Sequence, residues 1–146
     1  MSGVKLTDIV EKMNLKNLTP EVDITEREVL VPDVNRPALQ LAGFFDHFDL
    51  NRVQIIGNVE CAYLETLEEE KRVEIYQKLL EHKVPCIIFS NELQPDESFI
   101  EIAQKNDIPV FGTCKKTSSF MGELIRWLNV KLAPCISIHG VLVDVY

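Results

Sequence analysis

The sequence is poor in the features that would place it in a membrane or outside the cell. No apolar run approaches the ~18 residues needed to cross a bilayer. The first residues, MSGVKLTDIVEK, contain no basic stretch followed by an apolar core, so no secretory signal is visible and a cytoplasmic protein is expected. The four cysteines, Cys61, Cys86, Cys114 and Cys135, include no CxxC pair. In that compartment a disulfide framework is not expected, and nothing signals a zinc site. The six glycines follow neither the GxGxxG nor the GxxxxGK[ST] spacing, and HExxH and GxSxG are missing too. Motifs alone therefore give no enzyme. Positive charge is also in deficit, with 15 Lys and Arg against 23 Asp and Glu, a formal −8. That balance opposes the counterion release that drives nucleic-acid binding, and it opposes attraction to anionic membranes. Neither is expected as a partner.

What is present is a chain of 146 residues, 46% of them hydrophobic, long enough for one domain with its own core. A short amphipathic helix is expected at the start, with Val4, Ile9, Val10 and Met13 on one face, broken at Leu18-Thr19-Pro20. Val22 to Ile24 and Val29 to Val31 read as short strands. Pro37 suits the first turn of a helix over Ala38 to Phe44. Three strand–helix pairs follow. Val53 to Gly57 precedes a helix over Thr66 to His82, with Thr66 and Glu69 spaced as a capping box. Cys86 to Ser90 precedes a helix begun by Pro95-Asp96-Glu97. Pro109 to Gly112 precedes a helix capped by Thr117-Ser118-Ser119. Within the 66–82 helix, Glu68/Arg72 and Glu74/Lys78 are spaced as ion pairs on a solvated face. The strands are apolar on both sides. The fold class is therefore α/β, a mostly parallel sheet covered by helices.

The last stretch breaks this alternation. From Pro134, two β runs meet at His139-Gly140, and no helix follows. An unpaired β end is a liability, so this segment is expected to fray or to pair with something outside the chain, and the chain to be a fragment. The strand-end pairs Gly57-Asn58, Ser90-Asn91 and Gly112-Thr113 could line a generic crevice for an anion, although turn chemistry alone accounts for such residues. His47 and His82 read as exposed spectators. His139, beside a glycine, reads as a turn or partly buried histidine that could contact a phosphate.

Several blocks, in this order, resemble one family. RPALQLAGFF (36–45), VQIIGNVE (53–60), PCIIFS (85–90), IPVFGTCKKTSSFMGELIRWLNVKLAPC (108–135) and IHGVLVDVY (138–146) are similar to the N-terminal part of HPr kinase/phosphorylase. Ala38 and Ala42 stand where that family often has Gly and Thr. The resemblance implies a three-layer α/β domain over residues 1–133, similar to the N-terminal domain of the murein peptide ligases. Residues 134–146 would then be the linker and first β segment of a missing kinase domain. It also implies a parent enzyme of the bacterial cytoplasm, active in carbon catabolite regulation. That parent would be a homohexamer that phosphorylates a regulatory serine of HPr with ATP or pyrophosphate and Mg²⁺, and reverses this by phosphorolysis. The resemblance makes His139 an active-site residue. The P-loop would lie beyond Tyr146, so this chain is expected to bind no ATP or Mg²⁺ and to be inactive alone. Two other functions stay open: a regulatory module for a small anionic metabolite, and an interaction protein that docks its terminal β segment on a partner sheet.

Overall fold

The computed structural model describes residues 3–133, 136–138 and 141–143. The chain begins with β1 (Val4–Lys5) and α1 (Leu6–Met13), followed by β2 (Lys16–Asn17), β3 (Glu28–Val29) and β4 (Val34–Asn35). Next come α2 (Ala38–Leu41), β5 (Val53–Ile56), α3 (Asn58–Glu65), α4 (Glu69–Leu80) and β6 (Ile87–Phe89). The remaining elements are α5 (Glu97–Lys105), β7 (Val110–Gly112), α6 (Thr117–Leu132), β8 (Ile136–Ile138) and β9 (Val141–Val143).

The central sheet has the order β2-β7-β6-β5-β4, with β4 to β7 parallel and β2 antiparallel at one edge. Successive side chains of a strand point to opposite faces, and here both faces are filled. Val53, Ile55, Cys86, Ile88 and Phe111 pack under α1 and α6, against Leu6, Ile9, Phe120 and Leu124. Ile56, Ile87, Phe89 and Val110 pack under the helices between the parallel strands, against Leu41, Leu64, Leu79 and Phe99. The result is the expected three-layer α/β/α arrangement. Among the described residues, no helix is long and apolar enough to cross a membrane.

Local chemistry accounts for several departures from the sequence reading. Val22 to Ile24 is not a strand. Asp23 accepts the Thr25 amide (3.0 Å) and hydroxyl (2.7 Å), which folds the backbone into a turn. Val29 does form a strand, paired with Val4, so the opening helix starts at Leu6. That helix ends at Asn14 in the left-handed conformation (φ 52°), and this turn launches β2, an edge strand absent from the sequence reading. Helix α2 is shorter than expected and stops before Gly43 (φ +99°). The expected capping box at Thr66 is also absent. Thr66 ends α3, and α4 begins after Glu68. Arg72 reaches Asp96 (3.2 Å) rather than Glu68, while Lys78 does pair with Glu74 (3.7 Å). His82 is half-buried rather than exposed, its ring stacked on Phe45 with centroids 4.6 Å apart. Finally, β8 and β9 pair with each other as an antiparallel hairpin, in place of the expected frayed or externally paired end.

Candidate functional site

The carboxyl ends of the parallel strands converge on one edge of the sheet. There Arg36, Asn58, Asn91 and Lys116 to Ser119 surround an open crevice of about 420 Å³. Each residue arrives from a different element. Arg36 follows β4, Asn58 opens α3 after β5, Asn91 follows β6, and Lys116 precedes α6 after β7.

The crevice is held by two polar clusters. In the first, Glu60 is almost fully buried and its Oε1 accepts three N–H groups: Arg36 Nη2 (2.6 Å), Arg36 Nε (3.0 Å) and the Gly57 amide (2.7 Å). The last bond caps α3 from its third position, as in half of a capping box. In the second cluster, Thr117 Oγ1 lies 2.6 Å from Ser90 Oγ and accepts a hydrogen bond from Asn91 Nδ2 (3.2 Å). The two clusters meet at Gly57. A Cβ there would lie 2.7 Å from Thr117 Oγ1 and 2.9 Å from Arg36 Nη2, so glycine is required by space. Asn91 and Glu92 are both left-handed (φ 57° and 56°). This turns their amides onto the carbonyls of Lys115 (2.9 Å) and Thr113 (3.0 Å), fixing the loop that precedes α6.

The start of α6 is chemically incomplete. Lys116 stands at its N-cap and offers no side-chain acceptor. Among the described residues no acceptor meets the Thr117, Ser118 and Ser119 amides, and these three residues line the crevice beside Lys116. Aligned amides at a helix start together with a lysine form an anion-favouring surface.

Two of the three expected strand-end pairs, Gly57-Asn58 and Ser90-Asn91, are thus brought together. The third is not. Gly112 and Thr113 line a separate cavity of about 310 Å³ with Asn14, Lys16 and Cys114. Arg36 and Glu60 did not stand out in the sequence. The signal that could have found them is Gly57 followed three residues later by a glutamate, the same spacing that Thr66 and Glu69 show without forming a cap. His139 lies outside the described residues, so its surroundings are not described.

Comparison with known proteins identifies the family. The description "HPr Serine kinase N terminus" matches residues 4–128. The chain belongs to this family. The HPr kinase/phosphorylase of Lachnoclostridium phytofermentans is 58% identical over 146 residues, covering 100% of this chain and 47% of that protein. The HPr kinase/phosphorylase of Caldicellulosiruptor bescii is 42% identical over 138 residues, covering 94% of this chain and 44% of that protein. The chain therefore spans about half the length of the curated relatives it matches. In fold, it is similar to the CBS and DRTGG domain region of a Clostridium perfringens pyrophosphatase, solved with its activator diadenosine tetraphosphate. The TM-score is 0.60 at 22% identity, covering 86% of this chain and 47% of that one. At that identity the likeness concerns the fold alone. The described part of this chain is thus an α/β layer structure with a polar crevice at its strand ends.

Proposed function

We propose that this chain is the N-terminal domain of a bifunctional HPr kinase/phosphorylase. The complete enzyme would be a cytoplasmic homohexamer that phosphorylates a regulatory serine of HPr and removes the phosphate by phosphorolysis. The observation that carries this reading is the match of the whole chain, at 58% identity, to about half of a protein of that name. The role of the domain itself is structural or regulatory.

The reaction's ATP and Mg²⁺ find no fitting residues here. The sequence has no P-loop spacing, and among the described residues no three His, Cys, Asp or Glu side chains converge as a metal set. His139, in the segment 134–146 assigned to the start of the kinase domain, is proposed as an active-site residue, where an imidazole can hydrogen-bond a phosphate oxygen. Sequencing past the codon for Tyr146 tests the assignment. A following glycine-rich loop that ends in Gly-Lys-Ser/Thr is expected. A stop codon would remove the kinase reading.

The incomplete start of α6 beside Lys116 favours a second reading, a regulatory site for a small phosphate-bearing metabolite. Inorganic phosphate should then raise the melting temperature of the chain, since a ligand at 100 times its Kd stabilises by about 2.7 kcal/mol. Lys116→Ala should reduce that shift. No shift at any phosphate concentration would remove the reading.

A further inference from the structure

The side of the domain formed by α2 and α3 is apolar and exposed. At the end of α2, Phe44 donates its amide hydrogen to the Leu39 carbonyl (2.9 Å) and Gly43 donates to that of Gln40 (3.0 Å). With Gly43 left-handed (φ +99°), this is the helix-ending motif in which the side chains at the positions of Leu39 and Phe44 pack together. On α3, Val59 and Tyr63 stand four residues apart and share a face. The other faces of α3 are taken. Glu60 and Leu64 are buried, and Cys61 and Glu65 line a cavity shared with α4 and α5. Val59 and Tyr63 are left on the flank where α3 packs beside α2. All four apolar residues are exposed, Val59 at 68% and Leu39 at 62%. Ala42 and Ala62 are exposed with them, and between its ends neither helix exposes a charged side chain. Single exposed apolar residues are ordinary. These four together expose roughly 400 Å², the size at which a patch marks an interaction surface.

Charge indicates what covers the face. Helices α2 and α3 follow the parallel strands β4 and β5, so both start at the strand-end crevice and run away from it. Lys116 stands at the crevice end, where it lines the same wall as Val59. At the far end, Asp46 follows α2 and Glu65 closes α3. All three charged residues are exposed, and among the described residues none of them forms an ion pair. Arg36, also at the crevice end, is already matched by Glu60. The face therefore has a positive end and a negative end, separated by the eight residues of α3, about 12 Å. A uniformly acidic partner is repelled at one end and a uniformly basic one at the other. A second copy, turned about a two-fold axis that crosses the helices, is attracted at both, because Lys116 of each copy comes opposite Asp46 and Glu65 of the other. This is the self-complementarity that a two-fold interface requires. The net charge of −8 on each copy opposes association, but salt screens that repulsion beyond about 8 Å.

We propose that the α2–α3 face is a homodimer interface, on which a second copy of the chain packs antiparallel and covers Leu39, Phe44, Val59 and Tyr63. The pairing belongs to the 146-residue chain itself. It rests neither on the kinase reading nor on the hexamer proposed for the complete enzyme.

The test is sedimentation equilibrium of the 146-residue chain at physiological salt. A face of this size fits a weak dimer, so the mass should rise from 16.7 kDa toward twice that value between about 10 µM and about 1 mM. Leu39→Gln and Val59→Gln change exposed positions and should leave the circular dichroism unaltered. Each should weaken the association at least about tenfold. Lys116→Glu in one chain, and Asp46→Lys with Glu65→Lys in another, should each abolish self-association. The two variants mixed should form a heterodimer, because the reversed charges then match at both ends. A chain that stays monomeric at about 1 mM would leave the face to a different partner and overturn the proposal. A dimer that survives both glutamine substitutions, or reversed variants that fail to pair when mixed, would overturn it as well.

Discussion

Removal of the Glu60 carboxylate tests the construction of the strand-end crevice. Glu60 is 3% exposed and collects three N–H donors on one oxygen. Glu60→Ala leaves the Gly57 amide uncapped at the start of α3, a loss of about 1 kcal/mol. It also leaves the Arg36 guanidinium without its counter-charge. Breaking a fully buried pair costs about 3–5 kcal/mol. The Arg36 side chain is 32% exposed and can recover water, so roughly half of that applies. The sum is about 2–4 kcal/mol, a large share of a typical domain stability of about 5–15 kcal/mol. At roughly 2–4 °C per kcal/mol for a chain of this size, the melting temperature should fall by about 5–15 °C. Glu60→Gln keeps an acceptor for Gly57 and should cost about half as much. Arg36→Ala strands the buried carboxylate, and the double substitution should cost less than the sum of the two singles by at least about 1 kcal/mol. Urea unfolding followed by circular dichroism reads all four. Losses below about 0.5 kcal/mol, or strict additivity, would refute the reasoning.

Other outcomes follow from the packing and the thiols. Phe99→Ala empties a fully buried ring site between β6 and α4 and should cost about 3–5 kcal/mol in the same unfolding assay. Gly57→Ala should cost about 1–3 kcal/mol, because its methyl group meets both Thr117 and Arg36. Alkylation followed by peptide mass spectrometry should modify exposed Cys114 ahead of half-buried Cys61 and buried Cys86. Burial first, then the carboxylates of Glu60, Glu65 and Asp96, holds Cys61 protonated until the pH nears about 11, and burial alone pushes Cys86 up to about 12. Because both folded values lie above the ordinary 9.0, these thiols add stability that is complete below pH 9 and is lost as pH rises toward 11 and 12. Stability measured across that window should decline, and Cys86→Ala should flatten the decline. A profile unchanged by Cys86→Ala would contradict the thiol origin.

The sheet was legible because its strands are apolar on both faces. Val53 to Ile56 and Cys86 to Phe89 can only be covered on both sides, and the helices between them follow. Helix α5 was legible from Pro95-Asp96-Glu97 and α6 from its periodic apolar face, but Thr117-Ser118-Ser119 do not cap α6 as expected: they form its first turn, and Lys116 holds the N-cap position without a side-chain bond. Helix α3 was not, because Asn58–Glu65 buries only Glu60 and Leu64 and leaves Val59 and Tyr63 exposed, so no apolar stripe announces it. Strand β2 was missed for a related reason. Both of its residues are exposed, and its pairing with Phe111 and Gly112 is a tertiary fact. At the crevice, the strand-end glycine and polar residues could be seen locally. The Arg36–Glu60 pair spans 24 positions and the Ser90–Thr117 contact 27, separations that no local pattern encodes.

The most direct test of the kinase assignment is a chimera. Residues 1–146 replace the matching part of the Lachnoclostridium phytofermentans relative, and serine phosphorylation of HPr is measured with ATP and Mg²⁺. The chimera should phosphorylate HPr, its His139→Ala variant should lose most of that activity, and the 146-residue chain alone should have none. A folded chimera without activity, or a kinase signal from the chain alone, would contradict the account.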